Sequence, residues 1–153
     1  MSTQSTATQA FKAVFPEDGT PLRMMSETIR IRLRGEDTGG AYSVIEDDTP
    51  PQAGPPLHVH SREDETFYVV EGEYEIQIGE AIVWATPGSL LYAPRDVPHR
   101  FKNISEQTGR LLIVFSPPGF EHFFEEVDAI ASAGPPAFEQ VVELAASYGN
   151  RAL

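Results

Sequence analysis

Residues 54–72 read GPPLHVHSREDETFYVVEG, and the interpretation of the whole chain starts from them. His58 and His60 are two residues apart. In an extended strand, residues at this spacing point to the same face, so both imidazoles can reach one point. The polar residues 61–64 predict a reversal that could bring the next strand alongside and place Glu65 near both histidines. Imidazole and carboxylate together suit a divalent transition metal.

A second stretch, residues 88–103, adds another histidine at the head of a predicted strand. The strand opens at His99, and Phe101 shares its face because alternate residues of a strand point the same way. The residues of this stretch whose spacing matters below are Gly88, Pro94, Asp96, His99 and Asn103.

Together the two stretches closely resemble the paired motifs of the cupin superfamily. The first motif is a Gly, then His-x-His, Glu and Gly, and its later positions are matched by His58, His60, Glu65 and Gly72. The second motif is Gly, Pro-x-Gly, His and Asn, and it is matched by Gly88, Pro94, His99 and Asn103. The resemblance implies an all-β fold, a cupin-type double-stranded β-helix (jelly-roll) barrel, with C-terminal helices added to it.

Two positions depart from the family pattern. Gly54 lies two residues nearer His58 than the family spacing asks, and Asp96 replaces the family's glycine. Asp tolerates positive φ better than most residues, so the turn at Asp96 can survive. Neither departure falls on a predicted ligand, so we expect metal binding to persist.

The composition narrows the class of protein. A chain of 153 residues with 41% hydrophobic residues predicts one domain with one core. The absence of cysteine excludes disulfides, thiolate ligands and a cysteine nucleophile. A formal net charge of -12 predicts repulsion of nucleic acid and of anionic membranes. We see no secretion signal and no apolar run of membrane-spanning length, so we expect a cytoplasmic protein.

The chain divides into three predicted segments. We expect a flexible tail over residues 1–14, a β-barrel over 15–118 and a helical appendage over 119–153. Short alternating runs between Gly and Pro turns predict the strands of the barrel. Apolar residues at helical spacing predict helices over 120–131 and 137–148. Their apolar stripes could pack on the barrel, close its mouth or contact a partner.

By the resemblance, one divalent transition metal ion has the ligands His58, His60, Glu65 and His99. Fe, Mn, Ni, Co and Zn all suit these donors. In one alternative, the histidines are ordinary polar residues on the barrel surface; in another, the barrel no longer holds a metal. Glu63 and Asp64 could compete with Glu65, although strand position and family spacing favour Glu65. His122 is expected to be a solvated surface residue.

The strand faces also predict a cavity lining. The side chains expected to face inward and bind substrate are Phe67, Tyr74, Ile76 and Phe101. Such a lining, without Arg or Lys, suits a flat hydrophobic molecule with one or two oxygens. The alternative is that these residues only fill the core.

The resemblance implies a quercetin 2,3-dioxygenase-like enzyme acting on a flavonol-like or other enolisable aromatic substrate, with Glu65 as the catalytic residue that takes the hydroxyl proton. One alternative is a metal-dependent isomerase or cyclase that uses no dioxygen. Another is a non-catalytic module that binds a metal and a small molecule. The expected partners are a small-molecule substrate and a second copy of the chain in a homodimer, with no nucleic acid and no membrane.

Overall fold

The computed structural model describes residues 10–153, which form eleven strands, a 3-10 helix and two α-helices. The strands are β1 (Leu22–Met24), β2 (Glu27–Leu33), β3 (Ser43–Thr49), β4 (His58–His60), β5 (Asp64–Glu71), β6 (Tyr74–Ile78), β7 (Ala81–Ala85), β8 (Leu90–Ala93), β9 (His99–Asn103), β10 (Gly109–Ser116) and β11 (Asn150–Ala152). The helices are the 3-10 helix (Gly35–Thr38), α1 (Glu121–Ala131) and α2 (Phe138–Ser147).

The strands of residues 10–153 form two antiparallel sheets. One has the order β1-β2-β3-β10-β5-β8, and the other has the order β11-β4-β9-β6-β7. This mostly-β, two-sheet arrangement confirms the predicted cupin-type jelly roll. The described sheets are not joined into one continuous cylinder, because β8 and β7 each end a sheet.

Alternation along the strands places the core between the sheets. In β10, Leu111, Ile113 and Phe115 are buried, while the residues between them are only partly buried. On β6 and β9, Tyr74, Ile76 and Phe101 point inward from the other sheet. Apolar faces from both sheets therefore meet in one core, as expected when antiparallel strands bury one side.

The predicted reversal at residues 61–64 acts differently from our expectation. It does not place β5 beside β4, because β4 pairs with β9 and β11 while β5 pairs with β10 and β8. The segment instead carries the chain from one sheet to the other. Glu65 therefore approaches the histidines across the core.

Both positions that depart from the family motif have positive φ. Asp96 has φ of 66°, so this residue does adopt the left-handed turn conformation predicted for it. Gly54 has φ of 149°, and a Cβ there would lie 2.0 Å from the carbonyl oxygen of Phe101. Glycine is therefore required where this connection passes close to β9.

The helices form at the predicted places and bury their apolar stripes on the same chain. Phe123, Phe124 and Val127 of α1 belong to the core, as do Val141 and Ala145 of α2. The chain then forms β11, which pairs with β4 and which the sequence analysis did not predict.

The N-terminal segment can be described only from residue 10 onward. Residues 1–9 of the predicted tail lie outside the described residues, and residues 10–14 have no regular secondary structure. Arg32 donates hydrogen bonds to the carbonyl oxygens of Phe15 and Asp18, which ties the following turn to β2. Within residues 10–153, no helix combines the length and apolarity needed to cross a membrane.

Candidate metal centre

Four buried side chains from three strands converge between the sheets. His58 and His60 extend from β4, and His99 on β9 is the direct cross-strand partner of His58. Glu65 extends from β5 in the facing sheet. We call these four residues the tetrad, and they are the four residues that the sequence analysis predicted to be metal ligands. The core therefore holds three imidazoles on one side and a carboxylate on the other.

The donor atoms of the tetrad are close enough to bind a single ion. One ligand atom from each residue lies within 4.8 Å of the others. Glu65 Oε2 is 2.7 Å from His99 Nε2 and 3.3 Å from His60 Nε2. All four side chains are buried, so the alternative of ordinary polar residues on the barrel surface does not describe this arrangement.

Each histidine commits its Nδ1 atom to an acceptor outside the tetrad. His58 Nδ1 lies 2.8 Å from the Pro56 carbonyl oxygen, and His99 Nδ1 lies 3.2 Å from that of Val97. His60 Nδ1 lies 3.1 Å from Glu63 Oε2. These contacts fix the ring orientations and leave the Nε2 atoms for the shared point.

Glu63 lies directly behind the tetrad, a placement that the sequence analysis did not predict. It was considered only as a competing ligand, yet its buried carboxylate faces the far nitrogen of His60. Asp64, the other competitor, accepts hydrogen bonds from Arg95 instead. The only sequence signal for Glu63 was its position three residues after His60, at the turn.

Burial and hydrogen bonding set the charges of the tetrad. Burial lowers the pKa of His58 to about 4, so this imidazole is neutral at pH 7. Burial also acts to lower the pKa of His60, but hydrogen bonds to Glu63 and Glu65 outweigh it and raise that pKa to about 9. For Glu65, burial acts to raise the pKa, but hydrogen bonds with His60 and His99 outweigh it and hold the pKa well below its usual range.

The donor set fits a divalent transition ion. Imidazole nitrogen and carboxylate oxygen suit Fe, Mn, Co, Ni and Zn alike, so the cluster could hold a metal ion without indicating which one. Ligating histidines typically donate their second ring N–H to a carboxylate or a backbone carbonyl, and all three do so here.

Comparison with known proteins agrees with this geometry. Residues 47–115, which include the whole tetrad, match the Cupin domain family. The similarity to the Cupin domain family therefore extends over the part of the chain that holds the tetrad. The solved structure of the polyketide cyclase RemF from Streptomyces resistomycificus has a TM-score of 0.62 and 24% sequence identity, and the match covers 70% of this chain and 80% of that one. This likeness concerns the fold alone.

Two curated relatives extend the comparison. An uncharacterized protein of Streptomyces coelicolor is 43% identical over 56 residues, which are 37% of this chain and 52% of that protein. Quercetin 2,3-dioxygenase of Bacillus subtilis is 27% identical over 107 residues, which are 70% of this chain and 32% of that enzyme. The chain therefore spans about half, and about a third, of the lengths of these relatives.

The tetrad opens into a cavity of about 270 Å³. Among its described lining residues are His58, His60 and Glu65, and none is Arg or Lys. The apolar wall comes from both sheets and both helices, through Ile45, Phe101, Ile113, Phe115, Phe120, Phe123, Phe124, Phe138, Val141, Val142 and Ala145. The helices therefore form part of the cavity wall.

The predicted substrate-binding residues lie in two places. Phe101 lines the cavity. The other three, Phe67, Tyr74 and Ile76, are fully buried in the core and are not among the residues that line the cavity. Of the four, Phe101 alone is placed where it could contact a molecule in the described cavity. The Tyr74 hydroxyl instead donates to Thr49 Oγ1 at 3.1 Å.

A pair of carboxyl groups also lines the cavity, and sequence reasoning did not single it out. Asp47 is buried on β3, and Glu27 begins β2. Burial raises the pKa of Asp47 to about 6. Burial, together with the neighbouring Asp47, raises the pKa of Glu27 well above its usual value. Both carboxyl groups therefore keep their protons to higher pH than acidic residues on a surface do.

His122 lies apart from the centre. It is exposed on α1, and its Nδ1 is 3.2 Å from Glu125 Oε1. This placement matches the surface role expected for it.

Proposed function

We propose that this cupin is a metal-dependent enzyme acting on a small aromatic or enolisable molecule bound in its cavity, in the first instance as a dioxygenase of flavonol-like substrates. The observation that carries the proposal is the opening of the tetrad into a cavity with an aromatic wall and no described Arg or Lys. A lining of this kind favours a flat apolar body over a phosphate or a dicarboxylate. The similarity to quercetin 2,3-dioxygenase supports the same substrate class.

Each part of the site has a role in this proposal. An ion held by the tetrad would supply a Lewis acid with coordination positions that the protein leaves open. Phe101 and the aromatic residues of α1 would hold the ring system and exclude water from it. Glu65 would accept the proton of the substrate hydroxyl at its carboxylate.

The basicity of Glu65 depends on the state of its neighbours. Its low pKa comes from contacts with Nε2 of His60 and of His99. When these two nitrogens serve as metal ligands, they carry no proton to donate to Glu65. Burial then acts to raise the pKa of the carboxyl group, opposed by the charge of the ion. Glu65 is therefore a stronger base in the loaded site than in a site with protonated imidazoles.

A second candidate is a metal-dependent isomerase or cyclase that uses no dioxygen. The observation that favours it is the Glu27–Asp47 pair, because a cyclisation needs groups that donate and accept protons along the substrate. The fold-level likeness to the polyketide cyclase RemF is compatible with this candidate. A module that binds metal and ligand without turnover is the third candidate.

Dioxygen consumption separates these candidates. Protein loaded in turn with Fe(II), Mn(II), Ni(II), Co(II) or Zn(II) is mixed with 3-hydroxyflavone or quercetin in an oxygen-electrode cell. We expect uptake that requires the metal and falls at least about a hundredfold in Glu65→Gln. His122→Ala is the matched control and should keep full uptake.

The remaining outcomes decide among the other candidates. Absence of uptake with every metal and both flavonols would contradict the dioxygenase proposal. Conversion of an enolisable substrate under nitrogen would instead support the isomerase or cyclase. Binding of the flavonol without conversion in either atmosphere would support the binding module.

A further inference from the structure

The C-terminal strand β11 brings a side-chain amide beside the tetrad. β11 pairs with β4 in the register Asn150 to His60, Arg151 to Val59 and Ala152 to His58. Because residues directly opposite one another share a face, Asn150 lies on the same side of the sheet as the histidines. Asn150 and Ala152 accordingly line the cavity, whereas Arg151 is exposed.

Backbone contacts fix the position of this strand. The Ser61 amide donates to the Gly149 carbonyl oxygen at 2.9 Å, and the Leu153 amide donates to that of Leu57 at 3.0 Å. Gly149 has φ of +79°, and a Cβ at this residue would lie 2.7 Å from Ser61 Oγ. The chain therefore turns tightly after α2, and backbone hydrogen bonds at both ends of β11 fix the position of Asn150.

The amide group of Asn150 approaches the ligand nitrogen of His60. Its Nδ2 atom lies 3.4 Å from His60 Nε2, while the other ring nitrogen of His60 faces Glu63. One lone pair cannot serve both an amide donor and a metal ion. An ion ligated by His60 therefore leaves the Asn150 N–H groups available to another acceptor at the same end of the cavity.

The Asn150 amide is polar, whereas the neighbouring helical part of the cavity wall is apolar. The residues of α1 and α2 that face the cavity, from Phe120 to Ala145, are apolar. These helices and β11 follow residues 47–115, the part of the chain that matches the cupin family. The C-terminal segment therefore adds an apolar wall and one uncharged hydrogen-bond donor next to the tetrad.

We propose that Asn150 is a substrate-binding residue, whose side-chain amide donates a hydrogen bond to an oxygen of the small molecule held between the tetrad and the apolar wall. This inference rests on the proposed function, since it assumes a metal-dependent site for an oxygen-bearing aromatic ligand. The chemistry it selects is an oxygen acceptor, a hydroxyl or enolate, at the end of the ligand nearest the metal centre.

The test compares two probes that differ in one group. Full-length protein loaded with Co(II) is titrated with 3-hydroxyflavone and with flavone, which lacks the 3-hydroxyl, and binding is followed by their absorption and fluorescence. In Asn150→Ala we expect about a tenfold weaker affinity for 3-hydroxyflavone, the cost of about one hydrogen bond. Flavone affinity, cobalt content and thermal midpoint should stay at the wild-type values.

Arg151→Ala is the matched control, because it alters the neighbouring residue on the opposite face of β11. It should bind both probes as the wild type does. Unchanged affinity of Asn150→Ala for 3-hydroxyflavone would overturn the inference. Equal losses for both probes, or loss of cobalt, would indicate a structural role and would overturn it as well. Failure of the cobalt-loaded wild type to bind 3-hydroxyflavone would overturn the proposed function, and the inference with it.

Discussion

The protonation of the tetrad depends on which ring nitrogen of each histidine contacts a residue outside the tetrad. All three rings turn Nδ1 toward an acceptor, and for His60 that acceptor is the buried carboxylate of Glu63. A carboxylate behind an imidazole fixes its orientation and increases its basicity. We therefore expect Glu63 to increase metal affinity without being a ligand.

Substitution of Glu63 tests this role. In Glu63→Gln we expect metal affinity to fall about 10- to 100-fold, because His60 loses the charged partner of its Nδ1–H. The measurement is competition with a chelator of known affinity for Co(II) or Zn(II). Glu80→Gln, at an exposed turn, is the control and should bind as the wild type does. Metal affinity of Glu63→Gln equal to that of the wild type would contradict this role of Glu63.

Metal binding should also release a proton. The pKa of His60 is raised to about 9, so the stability gained from its protonated form is complete below about pH 6.5 and is lost as the pH rises through 9. An ion must displace this proton at pH 7.5. Calorimetry of Co(II) binding to chelator-treated protein, in buffers of different ionisation enthalpy, should give about one proton per ion, declining above pH 9. No release at pH 7.5 would contradict the assigned charge.

At the scale of elements, the residues with strict spacing were predictable, and the three-residue strands that carry no motif, β1 and β11, were not. His58 and His60 at strand spacing, and His99 ahead of Phe101, were enough to predict the ligand faces. The strands β1 and β11 have three residues each, too few for alternation to be visible. The pairing of β11 with β4 joins residues about 90 positions apart, and tertiary packing sets it.

Tertiary packing also decides which residues line the cavity, and this the sequence analysis did not predict in full. Asp47 lies within β3 with its side chain in the core, and the sequence analysis did not single it out. Phe67, Tyr74 and Ile76 were correctly predicted to face inward. The faces of a strand do not reveal which inward residues meet empty space and which meet other side chains.

The attachment of β11 can be tested at Gly149. In Gly149→Ala we expect a loss of about 1–3 kcal/mol in the free energy of unfolding, because the positive φ and the contact with Ser61 both disfavour a Cβ. The thermal midpoint should fall by about 5 °C. Gly134→Ala is the control, since Gly134 also has positive φ but no described atom lies within 4 Å of the added Cβ. Equal small effects of both substitutions would contradict a tight β4–β11 junction.

At the scale of the whole molecule, large apolar side chains are exposed on three strands of the described residues. The exposed apolar side chains on β5, β7 and β8 are Tyr68, Val70, Ile82, Val83, Trp84, Leu90 and Tyr92. Trp84 is 67% exposed, and both β7 and β8 end their sheets. Large exposed apolar patches mark interaction surfaces. We expect the homodimer suggested by the family resemblance to form through these exposed side chains.

Light scattering after size exclusion tests this expectation. We expect a dimer for the wild type and a monomer for the double variant Trp84→Glu/Leu90→Glu. Dimer formation would bury both introduced carboxylates in the interface without a charged or hydrogen-bonding partner. Phe11→Ser alters an apolar residue that is 91% exposed and belongs to none of these strands, and this variant should remain dimeric. A monomeric wild type, or a dimeric double variant, would place the homodimer expectation in error.

The central claim is that the tetrad binds one divalent transition metal ion between the two sheets. The most direct measurement is elemental analysis of protein purified without a histidine tag, as wild type, His60→Ala and His122→Ala. We predict about one equivalent of metal in the wild type and in His122→Ala, and loss of the metal in His60→Ala. Equal metal content in His60→Ala and the wild type, or none in the wild type after incubation with each candidate ion, would contradict the claim.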